Sequence, residues 1–207
     1  MILIAVILTS AFLIGSFPTG WIAYRIARGA DIRKVGSGST GATNTFRQLG
    51  WKWGIFVMLV DFLKGLLPVL AVLHLFPENW IMYEREPLAA GTGVCAVLGH
   101  VFPPWISFRG GKGVATGAGF LVALFPPVLP VGLGVFTLVV VLTRKVSLAS
   151  LSAAFGAPLS YLLFSIIDPA NATLPRTLIF CLLPILICLT HRKNILRLIS
   201  GKERSII

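Results

Sequence analysis

Apolar residues run along this chain in long blocks. Seven can be drawn, at roughly 1–24, 54–76, 87–106, 114–125, 128–143, 147–167 and 177–190. The longest reach the length of about 20 residues that a helix needs to cross a bilayer. The pattern predicts an all-α integral membrane protein with seven transmembrane helices. At 1.5 Å rise per residue, a helix over 114–125 would cover roughly 18 Å of a hydrocarbon layer about 30 Å thick. The fourth and fifth blocks are therefore short for crossings. Pro126, Pro127 and Pro130 would end the fourth and permit a tight outer turn, with a re-entrant pair as the alternative.

Composition agrees with the pattern. Of 207 residues 56% are hydrophobic and only 12% charged, too little polar surface to cover a soluble domain of this size. No repeat of 20–50 residues is visible and no soluble segment is left over, so residues 1–207 read as a single polytopic membrane domain.

The net charge of +11 invites a nucleic-acid reading, and its distribution argues against one. Fifteen of the 18 basic residues fall in four segments between or after apolar blocks. They are Arg25 to Lys52, Arg109 with Lys112, Arg144 with Lys145, and the tail from Arg192 to Arg204. The alternate stretches hold Arg85 and Arg176 against Glu78, Glu84, Glu86 and Asp168. This is the positive-inside pattern, and it places the basic segments in the cytoplasm. The start, Met-Ile-Leu-Ile, lacks a positive region, so the first block is expected to be retained as a span. Seven crossings then put the N-terminus outside and the C-terminus in the cytoplasm. Cys95, Cys181 and Cys188 lie in apolar blocks without a Cys-x-x-Cys, so neither disulfides nor a metal site is expected.

The basic segments carry the candidate chemistry. Ser37, Gly38, Gly41, Asn44 and Arg47 belong to a stretch dense in glycine and hydroxyl residues that can wrap an anion, or serve as a flexible linker. The second segment includes His100 and ends Arg109-Gly110-Gly111-Lys112-Gly113 directly before an apolar block. That order exposes backbone donors and a positive helix end to an anion. A nucleotide P-loop would need glycine at position 106 and Ser or Thr at 113, where Ile106 and Gly113 stand, so only the phosphate-binding reading survives. In a helical tail, His191, Asn194 and Arg197 would share a face; a basic amphipathic end resting on anionic lipid is the alternative. Asp61 and Lys64 inside the second block would pair structurally or face a polar interior. No His-x-x-x-x-Asp pair and no Gly-x-Ser-x-Gly elbow occurs, and only Asp31 and Glu203 supply carboxylates on the basic side.

Together these segments resemble the bacterial PlsY-type acyl-phosphate:glycerol-3-phosphate acyltransferases over essentially the whole chain. The first motif stands here as Ser37-Gly38-Ser39-Thr40-Gly41-Ala42-Thr43-Asn44, with Ser-Thr where the family usually has Asn-Pro. Gly99-His100-x-Phe102-Pro103, the run from Arg109 to Thr116, Ser147 to Ser150, and the tail from His191 to Glu203 match throughout.

The resemblance implies a seven-helix fold in the bacterial inner membrane, with a cytoplasmic active site that needs no cofactor. It implies transfer of an acyl group from acyl phosphate to glycerol-3-phosphate, giving 1-acyl-glycerol-3-phosphate and phosphate, the first step of phospholipid biosynthesis. Membrane lipids and an upstream acyl-phosphate-forming enzyme are the implied partners. By the same carry-over Ser37, Arg47, Lys112, His191 and Asn194 hold glycerol-3-phosphate or assist its reaction, beside Asn44. Ser147 and Gly110, Gly111 and Gly113 help seat the acyl phosphate. A substrate phosphate would take the hydroxyl proton. The glycine-rich, cationic segments are expected to converge at the inner leaflet. A transporter of a phosphate ester or other anion, or a structural lipid-binding protein, is the rival reading; clustered motifs and the lack of inverted repeats oppose the transporter.

Overall fold

The computed structural model of the chain describes residues 1–76 and 85–206. Glu78 and Glu84, counted above among the acids of the non-basic stretches, lie outside them. Among the described residues every regular element is helical. The helices are α1 Ile2–Gly15, α2 Thr19–Arg28, α3 Ala42–Leu49, α4 Trp51–His74, α5 Arg85–Val101, α6 Val114–Leu124, α7 Val128–Thr143, α8 Val146–Ile167, α9 Leu174–Thr190 and α10 Arg192–Ile199.

Each of the seven apolar blocks is helical. Helices α1 and α2 together make one apolar stretch of 27 residues, broken at 16–18. Among the described residues four stretches are long and apolar enough to cross a membrane, five if α9 and α10, bent by 69°, count as one. Helices α6 and α7 are shorter. Pro126 follows the end of α6, and Pro130 falls in the first turn of α7, where a missing N–H costs no intrahelical bond. Helix α8 leaves Phe155, Leu159, Leu162, Leu163 and Ile166 more than half exposed. So large an apolar face suits hydrocarbon and would be a liability in water.

The chain forms two compact units, residues 1–123 and 124–207. In the first, glycines bring helix backbones into near contact. A Cβ on Gly99 would stand 2.1 Å from the Phe12 carbonyl oxygen of α1, and one on Gly65 of α4 1.9 Å from that of Thr116 in α6. With no hydrophobic drive between helices in lipid, such close approach supplies the packing energy. Asp61 and Lys64 pair at 2.6 Å, both buried. The pair itself was expected; its surroundings are described below.

In the second unit an aromatic cluster forms the core. Tyr161 stacks on Phe180 with centroids 4.4 Å apart, and Phe125 meets Tyr161, Phe164 and Phe180 edge-on. After α10 the tail folds back, and the Ile206 N–H donates to the Arg144 carbonyl at 2.8 Å.

Candidate active site

In the first unit the segment read as flexible turns helical at Ala42. Gly41 is the extended N-cap of α3, and the Thr45 hydroxyl donates back to its carbonyl at 3.2 Å. Asn44 and Arg47 therefore stand one turn apart on a helix rather than on a loop. No apolar run announces so short a helix, which explains why its pattern reads as a loop. Asn44 is almost fully buried, and its amide organises the segment before it. Its oxygen accepts from the Ser37 N–H at 3.1 Å, and its nitrogen donates to the carbonyls of Ser39 at 2.9 Å and Val35 at 3.2 Å. Gly36, at φ +61°, is required because a Cβ there would lie 2.2 Å from the Asn44 oxygen. Asn44 thus shapes the backbone that presents Ser37, with its donors already taken up by the chain.

The second segment folds back on the end of α5. The Gly110 and Gly111 N–H groups donate to the carbonyls of Val101 and His100, each at 3.1 Å. Gly113 adopts φ +83°, a left-handed turn that lets α6 begin at the next residue. Lys112 is thereby placed immediately before the positive end of an apolar helix. The Thr116 hydroxyl, in the first turn of α6, is buried without a hydrogen-bond partner among the described residues. The N–H groups of that first turn, the helix dipole and the cation suit an anion, whereas the Gly110 and Gly111 N–H groups, expected from the sequence to be offered to it, are taken up by the end of α5.

On the rim of the same unit the Arg33 guanidinium grips Asp31 through both carboxylate oxygens, at 2.7 to 3.1 Å. That hydrogen bonding lowers the Asp31 carboxyl to about 2, against the opposing effect of burial. Arg33 also donates to the Ile106 carbonyl, tying the first segment to the second.

In the second unit the tail is helical, and His191 and Asn194 are buried at the start of α10. The His191 Nδ1 lies 2.8 Å from the Ile187 carbonyl, which can only accept. The proton of the neutral ring therefore sits on Nδ1, and Nε2 carries the lone pair.

Glu203, to which the sequence assigned no role, is the hub. It accepts from Ser147 at 2.7 Å, from Asn194 at 2.6 Å and from Arg197 at 2.7 Å. Burial works to raise its pKa, but the three hydrogen bonds, with the Arg197 charge, prevail and hold it below the ordinary glutamate value. The one available signal was an acid embedded in an otherwise basic tail.

Ser37, Asn44, Arg47, Gly110, Gly111, Lys112 and Gly113 thus belong to the first unit, and Ser147, His191 and Asn194 to the second. Among the described residues no group of His, Cys, Asp or Glu could hold a metal ion.

The family profile described as glycerol-3-phosphate acyltransferase matches residues 5–201. A curated glycerol-3-phosphate acyltransferase of Prochlorococcus marinus (strain NATL2A) is 42% identical over 198 residues, covering 95% of each chain. One of Chlorobium limicola is 38% identical, covering 100% of this chain and 97% of its own. The crystal structure of PlsY (YgiH), an integral membrane glycerol 3-phosphate acyltransferase, in its glycerol 3-phosphate form superposes with a TM-score of 0.85 at 35% identity, covering 98% of this chain and 94% of that one. Its lysophosphatidic acid form gives 0.82 at 32% identity. The chain belongs to the glycerol-3-phosphate acyltransferase family.

Proposed function

We propose that this protein transfers a fatty acyl group from acyl phosphate to glycerol-3-phosphate at the cytoplasmic face of a bacterial inner membrane. The family and the forms in which its relative PlsY was crystallised support the acceptor and the product. The observation that carries the site is the 110–113 loop, which delivers Lys112 and backbone donors at the start of an apolar helix. In this reading all seven apolar stretches cross the bilayer, with the N-terminus outside. The alternation of basic and non-basic segments along the chain, and the short α6 and α7 with Pro126 and Pro127 between them and Pro130 in the first turn of α7, support that topology. The whole chain acts as one catalytic domain, supplied by an enzyme that makes acyl phosphate.

Chemically, the glycerol hydroxyl attacks the acyl carbonyl carbon, a C–O ester bond forms, and the bond to phosphate breaks. Phosphate leaves with the electron pair. A phosphate oxygen of the substrates accepts the hydroxyl proton, so the products are the ester and hydrogen phosphate. Lys112 and Arg47 offset the repulsion between two anionic reactants, and the N–H groups of the first turn of α6 stabilise phosphate or oxyanion charge, those of Gly110 and Gly111 being taken up by the end of α5. Alignment of this kind supplies roughly 7–11 kcal/mol of a barrier, and each well-placed donor about 3–4 kcal/mol. Ser37, His191 and Asn194 bind glycerol-3-phosphate, and Ser147 serves the acyl phosphate. Asn44 acts through the backbone that it shapes.

Purified protein given acyl phosphate and glycerol-3-phosphate is expected to release phosphate and lysophosphatidate in equal amounts. Protein that stays folded yet forms neither product would refute the assignment.

A further inference from the structure

Asp61, Lys64 and His100 take no part in the scheme above, yet they are buried together among apolar helices, each less than a tenth exposed. Charges at such a position are costly unless they pair and hydrogen-bond, so their retention calls for a reason. The Asp61 Oδ1 accepts from Lys64 at 2.6 Å and from the Thr19 hydroxyl at 3.2 Å, and lies 3.7 Å from His100 Nδ1. Lys64 also donates to the Phe17 carbonyl, at the break between α1 and α2 where Pro18 has no N–H to offer. The cluster joins that break to α4 and α5. Ser16, Phe17, Pro18, Thr40 and Pro103 surround it.

What the cluster touches next is the 110–113 loop. The His100 carbonyl accepts from the Gly111 N–H, and its ring fills the space that a side chain at 111 would take. A Cβ on Gly111 would stand 2.0 Å from His100 Nε2. At the far side of the loop, Gly65, the neighbour of Lys64, presses on the Thr116 carbonyl in the first turn of α6. One patch of α4 and α5 thus bounds the loop at both ends, with Lys112 between them.

We infer that Asp61, Lys64 and His100 are positioning residues that fix the height of the 110–113 loop against the spanning helices and thereby aim Lys112 at its substrate phosphate. The inference rests on the role proposed for Lys112. It predicts that the imidazole and the missing side chain at 111 act as a pair.

The test compares His100→Ala, Gly111→Ala and the double variant, reading kcat and KM for both substrates and the thermal shift given by glycerol-3-phosphate. Each single variant is expected to lose about 10²-fold in kcat/KM, the cost of roughly 1 Å of misplacement, and to melt below the wild type because of the cavity or clash it introduces. The double variant is expected to regain at least about tenfold over the product of the single losses, because the new methyl group enters the volume vacated by the ring. Losses that simply multiply, or His100→Ala with wild-type kinetics, would overturn the inference. If His100→Ala does not fold, Gly111→Ala decides alone: wild-type kinetics there sinks the idea. If the wild type is inactive with acyl phosphate, the donor assignment fails instead. The glycerol-3-phosphate thermal shift then decides, an undiminished shift in both single variants counting against the positioning role and a lost one for it.

Discussion

In the unit of residues 1–123 the candidate site residues stand on glycine-rich backbone. Asn44 hydrogen-bonds its own loop, Gly36 and Gly113 adopt left-handed turns, and the 110–113 segment is bonded to the end of α5. In the unit of residues 124–207 they gather instead on a carboxylate, with Glu203 accepting from Ser147, Asn194 and Arg197. Within its loops the first arrangement holds its shape through steric fit and amide hydrogen bonds, and its ion pairs, Asp31 with Arg33 and Asp61 with Lys64, lie beside those loops and not at the site residues themselves. The second depends on one ionised group and therefore on pH. A phosphate-binding surface can be built either way, but the two ways fail under different insults.

The sharpest probe of the first arrangement is Lys112→Ala. It is expected to lower kcat/KM by about 10²–10³-fold, the usual cost of removing a preorganised charge-stabilising donor, while melting stays close to wild type. Near-normal turnover would mean that the loop presents the wrong residue.

Glu203→Ala probes the second arrangement. It leaves Ser147 and Asn194 without their acceptor, at about 1–3 kcal/mol for each buried group left unpaired. Activity and melting temperature should therefore fall together, unlike in Lys112→Ala. Unchanged melting would remove Glu203 from the hub.

Asn44→Ala is expected to cost about 1–3 kcal/mol of stability and to lower kcat/KM about tenfold through the slackened Ser37 backbone. A purely kinetic loss with stability intact would argue that its amide contacts substrate directly.

The contrast should also appear on acidification. A depressed folded-state pKa means that Glu203 contributes stability above its unfolded value, stability that is lost as pH falls through the folded value. Melting of the wild type should hold steady from neutral pH and drop only below the ordinary glutamate range, and Glu203→Gln should flatten that drop. An unaltered acid limb in Glu203→Gln would assign it to another carboxylate. The smallest effect is expected for Asp31→Asn, a rim pair whose loss should change stability by within about 0.5 kcal/mol.

Much of this was legible from the chain. Long apolar blocks determine helices at bilayer length because unsatisfied backbone polar groups are intolerable in hydrocarbon, and α7 occupies 128–143 as the pattern required. The glycines and cations of 109–113 marked the segment as a candidate anion site for a local reason, since charge is carried by Arg109 and Lys112 wherever they fold.

Partnerships between distant residues were not legible. Glu203 meets Ser147 across 56 positions, and His100 underlies Gly111 only because α5 ends where the loop turns back. Asn44 illustrates the same limit, since nothing local distinguishes an amide that binds a ligand from one that hydrogen-bonds its own loop. Hydropathy and charge act residue by residue and survive in the sequence. Hydrogen-bond partners and steric stops depend on which backbones approach within a few ångströms, and tertiary packing alone decides that.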